Sequence, residues 1–237
     1  MMLINTHHIY GSSVVATDKV AGTVRDILFD DRSWDVKFLV VHSGRWLTGQ
    51  SELLTPDVIT GCDWMARELT VGLTEDEVVQ SPPPETHPPA SVEKNWERAL
   101  VAWDVYWSGM IDESDKPAGD PHLDSVKEVT GYHVDAVDGV IGHIVDFLID
   151  DETWVIRYMV MDTRNWLPGK HVLLTPALIK SVDWEERIVR VNTAREIIKD
   201  APAFDVTVPL SRKYEQKLVD YYGVGQYWDA AAEEARS

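Results

Sequence analysis

Val20-Ala21-Gly22-Thr23-Val24-Arg25-Asp26-Ile27-Leu28-Phe29-Asp30-Asp31-Arg32-Ser33-Trp34 returns as Val140-Ile141-Gly142-His143-Ile144-Val145-Asp146-Phe147-Leu148-Ile149-Asp150-Asp151-Glu152-Thr153-Trp154, at a constant offset of 120 residues. Extended without a gap to Val20–Val71 over Val140–Val191, the superposition holds 20 identities in 52 positions. The shared residues are framework types: Gly22/Gly142, Asp26/Asp146, Trp34/Trp154, Trp46/Trp166, Gly49/Gly169, Leu53-Leu54-Thr55-Pro56/Leu173-Leu174-Thr175-Pro176 and Asp63-Trp64/Asp183-Trp184 among them. None is a nucleophile or a nitrogen ligand for a metal, so what both copies retain reads as a fold. The period is far longer than that of a stacked solenoid, which points to two separate small domains.

Each copy reads as short strands punctuated by turns. Val14–Thr17 and Val134–Val137 lead into Asp18-Lys19 and Asp138-Gly139, the second being a two-residue hairpin signal. Gly22–Phe29 and Gly142–Ile149 follow, then the turns Asp30–Ser33 and Asp150–Thr153, whose side chains can bond nearby amides. On the next strand Trp34, Val36, Phe38 and Val40 share one face, as do Trp154, Ile156, Tyr158 and Val160. A further strand runs into Pro56 or Pro176, and two short ones around Asp63-Trp64 and Asp183-Trp184 complete each copy. About six short strands per copy suit a small barrel or strongly coiled sheet. Thr74/Glu77 and Thr193/Glu196 have capping-box spacing, so a short helix ends each copy; the offset there is 119, implying a one-residue difference between the repeats.

Between the copies, Ser81–Pro89 is a stiff proline-rich spacer. A helix is predicted from about Ser91, with Val92, Trp96, Ala99, Leu100, Trp103, Tyr106, Trp107 and Met110 at three- and four-residue spacing. This stripe needs a partner surface, either the chain's own barrels or another protein, and Trp96, Leu100, Trp103 and Trp107 form the candidate interaction face. Asp112–Asp124 reads as an acidic surface loop. Ser211–Tyr222 reads as a C-terminal helix stopped by Gly223, followed by Tyr227-Trp228 and a frayed end from Asp229. The expected division is therefore 1–80 (first barrel), 81–124 (spacer, amphipathic helix, acidic loop), 125–205 (second barrel) and 206–237 (C-terminal helix and tail).

Forty acidic against 22 basic residues give a net charge of −18. Such a field repels phosphate backbones, so no direct nucleic-acid contact is expected. A single cysteine, Cys62, excludes an intrachain disulfide and reads as a small hydrophobe. No run approaches the ~18 apolar residues of a membrane-spanning helix, and no leader is evident, so a cytoplasmic location is expected.

Signatures of chemistry are sparse. No glycine-rich phosphate loop follows a strand into a helix. His133 and His143 lie on neighbouring strands, but a turn at Asp138-Gly139 would pair Val134 with His143 and set the imidazoles on opposite faces. Asp30-Asp31 and Asp150-Asp151 read as turn formers. Asp26 and Asp146 stand mid-strand among apolar neighbours, possible polar sites in which each carboxylate either meets solvent or accepts internal hydrogen bonds. No catalytic residue, metal ligand or cofactor-binding residue is assigned, and no cofactor is expected.

The second copy's Gly131-Tyr132-His133-Val134, its Asp138–Trp154 run and Asn165-Trp166-Leu167-Pro168-Gly169-Lys170 resemble the PRC-barrel superfamily, which includes the cytoplasmic domain of the reaction-centre H subunit and the C-terminal domain of a ribosome maturation factor. With Tyr221-Tyr222-Gly223 and Tyr227-Trp228, the whole chain is similar to bacterial tandem PRC-barrel proteins. The first copy departs from the pattern at Gly44-Arg45 and Thr48 and lacks the Asp-Gly turn. The resemblance implies a mainly β fold of two small barrels from an internal duplication, with a linker helix, short capping helices and a C-terminal helix. It implies a non-enzymatic adaptor or scaffold with an unidentified protein partner, or self-association as a homo-oligomer. Two alternatives come with it: an H-subunit-like accessory role in electron or proton transfer or assembly, and a ribosome-maturation role on a ribosomal protein.

Overall fold

A computed structural model describes residues 2–43, 50–87, 89, 120–163 and 170–228. The architecture is mainly β, with two equivalent sheets and a few short helices. In the first half the strands are β1 (Leu3–Asn5), β2 (Ser13–Val15), β3 (Val20–Asp30), β4 (Val36–Ser43), β5 (Ser51–Leu54), β6 (Ile59–Asp63) and β7 (Glu68–Val71), with helices α1 (Thr6–Ile9) and α2 (Glu75–Val79). The second half repeats the series: β8 (Leu123–Ser125), α3 (Val126–Val129), β9 (His133–Ala136), β10 (Gly139–Asp150), β11 (Ile156–Asp162), β12 (His171–Leu174), β13 (Ile179–Asp183), β14 (Ile188–Val191) and α4 (Arg195–Asp200). Helix α5 (Arg212–Tyr222) follows, capped by Ser211 and ended by Gly223 in the left-handed conformation, as the sequence predicts.

The strand orders are β5-β4-β3-β2-β7-β6 and β12-β11-β10-β9-β14-β13. Neighbours are antiparallel except β2 with β7 and β9 with β14. Each hydrogen-bonded path is open: among the described residues β5 does not pair with β6, nor β12 with β13. Chain from outside the path lies along the open edge instead, Leu53 N donating to Pro82 O and Phe204 N to His171 O, each at 2.8 Å. The sheets are held tightly at Gly22 and Gly142. A Cβ at these positions would lie 2.4 Å from His42 O and 2.2 Å from Asp162 O, which is why both copies need glycine there.

The two halves exchange their first strands. β1 pairs with β10 (Leu3 opposite Asp150, Asn5 opposite Leu148), and β8 pairs with β3 (Leu123 opposite Asp30, Ser125 opposite Leu28). Every one of these positions maps onto its counterpart at the 120-residue offset, so the chain is an intramolecular pseudo-dimer with an approximate two-fold axis. Near that axis Asp35 and Val155, themselves equivalent, form a bridge, with Val36 N donating to Trp154 O and Ile156 N to Trp34 O at 2.8 Å. A single buried cluster draws on both halves, and Phe29 and Phe147 meet in it at 5.9 Å between ring centres. Burial of side chains this large is worth about 1.5–3 kcal/mol each, and the reward is shared across the duplication. The boundaries expected at 80/81 and 124/125 did not anticipate this interlocking.

Three local expectations are corrected. The second hairpin turns at Val137-Asp138, because Ala136 pairs with Gly139; a bulge between Val140 and Gly142 then sets His143 directly opposite His133, on the same face. The helix that ends the second copy is N-capped by Ala194 and has no side-chain cap, so Thr193/Glu196 is not a capping box. Thr74 and Ala194 keep the offset of 120, and the repeats do not differ by a residue. In place of the missing box, Asp138 Oδ1 accepts from Arg195 N at 2.8 Å, as Asp18 Oδ1 accepts from Glu75 N at 2.9 Å. The first box is present, with Thr74 and Glu77 bonded reciprocally. Lastly, Asp124, expected in an acidic surface loop, is 4 % exposed, because from Leu123 the chain has become the exchanged strand β8.

Candidate functional site

The duplicated carboxylates Asp26 and Asp146 sit where the exchanged segments dock. Asp146 Oδ1 accepts from Thr6 N (3.1 Å), Thr6 Oγ1 (2.5 Å) and Phe147 N (2.8 Å), and its Oδ2 contacts His7 Nδ1 at 2.6 Å. Asp26 accepts from Ser125 Oγ (2.6 Å), Ile27 N (2.7 Å) and Lys127 N (3.3 Å). Each carboxylate therefore caps the one-turn helix carried in by the other half, α1 at Asp146 and α3 at Asp26. The free amides of a helix start want such an acceptor, and a mid-strand Asp supplies it across the interface.

Burial pushes the Asp26 carboxyl up to about 6, against the opposing pull of the Ser125, Ile27 and Lys127 donors. Tyr10 completes the buried polar centre. Its hydroxyl has no hydrogen-bond partner among the described residues. Burial raises the phenol well above its ordinary range, and the Asp26 and Asp146 charges raise it further, so the proton stays on oxygen. Asp26 and Asp146 are only 6 % and 9 % exposed. As arranged, both carboxylates bind backbone and hydroxyl donors of the chain itself.

The repeated Asp pairs divide their work. Asp30 Oδ1 accepts from the amides of Arg32 and Ser33, and Asp150 Oδ1 from those of Glu152 and Thr153, as turn formers do. Asp31 and Asp151, also expected to form turns, instead grip the exchanged strands: His122 Nδ1 lies 2.9 Å from Asp31 Oδ1, and Met2 N donates to Asp151 Oδ1 at 2.6 Å. Cys62 is half-buried, and burial followed by the Asp151 charge pushes its thiol up to about 11, away from reactivity.

Two further buried carboxyls belong to the first sheet or to the exchanged strand that pairs with it. Glu52 is 2 % exposed; its Oε1 accepts from Ser43 Oγ at 3.1 Å, while Oε2 has no partner among the described residues, and burial raises it to about 7. Asp124 is raised to about 7 by burial and then by Asp31, Glu128 and Asp30. Neither was singled out from sequence. Ser125 was missed as well, although Ser125-Val126-Lys127-Glu128 carries cap spacing and its Oγ accepts from Glu128 N at 3.0 Å.

The outer faces of the two sheets carry matching apolar patches. On the second, Leu148, Tyr158, Val160 and Leu173 are covered by Phe204 and by Leu218 of α5. Glu215, buried beside them, accepts from Tyr158 Oη (3.2 Å) and Tyr227 Oη (2.6 Å) and pairs with Arg212 (3.0 Å). On the first, Leu28, Phe38, Val40, Leu53 and Leu123 form the corresponding cluster, with Phe38 against His87 at 5.0 Å. The candidate interaction residues Trp96, Leu100, Trp103 and Trp107 lie outside the described residues.

Each sheet, antiparallel but for one parallel pair, receives a strand and a one-turn helix from its own duplicate. Residues 2–76 match the PRC-barrel domain. This is the first copy almost whole, and the PRC-barrel family is generally non-catalytic, serving as scaffold or adaptor and often mediating protein interactions. No curated protein matches the chain. Among the described residues, no helix is long and apolar enough to cross a membrane.

Proposed function

We propose that the chain is a non-enzymatic tandem PRC-barrel adaptor, cytoplasmic, in which the pseudo-dimer is a rigid acidic body and the Trp96/Leu100/Trp103/Trp107 stripe contacts a protein partner or a second copy. The observation that carries the reading is the use made of Asp26 and Asp146. Each of these duplicated interior carboxylates accepts from the start of the exchanged helix as well as from the next amide of its own strand, so this pair of ionisable groups serves assembly. The PRC-barrel match over 2–76 supports the same class of role. The charge of −18 favours a basic protein surface over nucleic acid as partner.

Affinity purification of the full chain with mass spectrometry, run beside Trp103→Asp, tests it. The expected result is stoichiometric recovery of a protein partner or of self-associated chain, lost in the variant. A monomeric chain that retains nothing, or a partner retained equally by Trp103→Asp, overturns the reading. Fractionation with membranes would turn it towards the H-subunit-like role, and salt-sensitive co-sedimentation with small ribosomal subunits towards the maturation role.

A further inference from the structure

The two sheets differ in one row of side chains. Across the second sheet His133 (β9) stands directly opposite His143 (β10), His143 opposite Asp162 (β11), and Asp162 opposite His171 (β12). The equivalent row of the first sheet is Ser13, Thr23, His42 and Ser51, in the same register. Three of the chain's eight histidines are thus gathered on one line, where the sister sheet has mainly hydroxyls. The row faces outward, since the strand neighbours Val134, Ile144, Met161 and Val172 all belong to the shared core.

Directly opposed residues hold their Cβ atoms about 4.5–5.5 Å apart, a span that two imidazoles can bridge to one ion at about 2.0–2.1 Å from each nitrogen. His133 is exposed and His143 half-buried. Neither imidazole makes a hydrogen bond, ion pair or ring contact with the described residues, so turning it about χ1 and χ2 breaks no such contact with them. That rotation is required. As placed, no three His, Cys, Asp or Glu groups among the described residues are gathered to hold an ion. Asp162, 2 % exposed and with a polar interaction of its own, brings a carboxylate next to His143. The charge of −18 enriches cations around the molecule and disfavours an anion at the same row. Imidazole nitrogens select the zinc, copper and nickel class over calcium or magnesium.

We propose that His133 and His143, with Asp162 beside them, form a transition-metal site on the outer face of the second sheet, for which zinc is the test ion. The proposal is independent of the adaptor reading. Titration of the full metal-free chain with Zn2+ by calorimetry, and with Co2+ by visible absorption, is expected to show one saturable equivalent. His143→Gln and, separately, His133→Gln should each weaken it by about tenfold or more, and His42→Gln, the equivalent position in the first sheet, should leave it unchanged. His7→Gln separates the alternative nitrogen source at the His7-His8 pair. No saturable uptake overturns the proposal, as does uptake that survives both His143→Gln and His133→Gln, or uptake lost in His7→Gln or His42→Gln. Thermal melts of each variant establish that its fold is retained.

Discussion

The buried amides of Thr6 and Phe147 both donate to Asp146, and the Thr6 hydroxyl donates to the same oxygen. Removing one partner from a buried hydrogen bond costs about 1–3 kcal/mol. Asp146→Ala is therefore expected to destabilise the chain by about 3 kcal/mol in urea unfolding, with faster hydrogen exchange at Leu3–Ile9 and at Phe147; a change below about 0.5 kcal/mol would contradict the capping role. Trp34 and Trp154 present a different balance. Both have positive φ, 64° and 55°, a conformation that is costly for a bulky side chain, yet both are 6 % exposed and Trp34 stacks on Phe29 at 5.5 Å. The strained backbone aims the Trp34 carbonyl at Ile156 N and so ties the halves together. Trp34→Gly relieves about 1 kcal/mol of strain and forfeits about 3–5 kcal/mol of packing. A net loss of about 2–4 kcal/mol is the expected outcome of a denaturation curve, and any gain in stability would show that strain outweighs burial.

The exchanged strands and their one-turn helices are the elements on which the fold turns. A fragment of residues 1–87 keeps sheet one but lacks β8 and α3, leaving Leu28–Asp30 of β3 paired with β4 alone and Asp26 without Ser125. Its own β1 and α1 are the equivalents of the missing pieces. Two fragments can restore both interfaces by swapping these segments, so sedimentation equilibrium should find a dimer; a folded monomer would mean that the exchange is dispensable. Strand pattern, the Thr74 cap and helix α5 were legible in sequence, since each depends on side-chain period or on residues three apart. The duplication was legible too, but its consequence was not. Strand β1 holds only three residues, too few to show that its partner is β10 of the other half. The bulge between Val140 and Gly142 moved one pairing and placed His133 and His143 together, where an ideal hairpin would separate them. Thr193/Glu196 had cap spacing, but the helix starts one residue later, with Ala194 at the cap position that Thr74 holds in the first copy. Asp26 and Asp146 could be flagged as buried acceptors; their donors lie about 100 and 140 residues away.

At the scale of the whole molecule, the pseudo-symmetry is broken by charge. Asp26, Glu52 and Asp124, raised to about 6, 7 and 7, all belong to the first sheet or pair with it. The offset positions of the last two are Val172 and Ile4, which cannot titrate. Asp150 in the second half and its equivalent Asp30 in the first both lie below their ordinary value: burial pushes them up, but the amide donors of their turns and the nearby cations outweigh that. A carboxyl whose folded pKa exceeds its unfolded one binds protons preferentially in the native state. Its contribution is complete below the unfolded values near 4 and is lost as pH rises through 6 to 7. Asp150 has the opposite sign, contributing above about pH 4 and weakening only in acid. Between about pH 5 and 8.5, then, the first sheet should lose stability while the second stays level. Each unit of raised pKa corresponds to about 1.4 kcal/mol, so the combined effect amounts to several kcal/mol. Native-state hydrogen exchange across this range should show opening of β3, β4 and β5 before β10, β11 and β12, most at the alkaline end. Glu52→Gln and Asp124→Asn should each flatten the dependence, because a neutral side chain removes the proton that links folding to pH. Equal protection of the two sheets at every pH would mean that these carboxyls find solvent or partners enough to ionise without cost, and the asymmetry of sequence would then have no counterpart in stability.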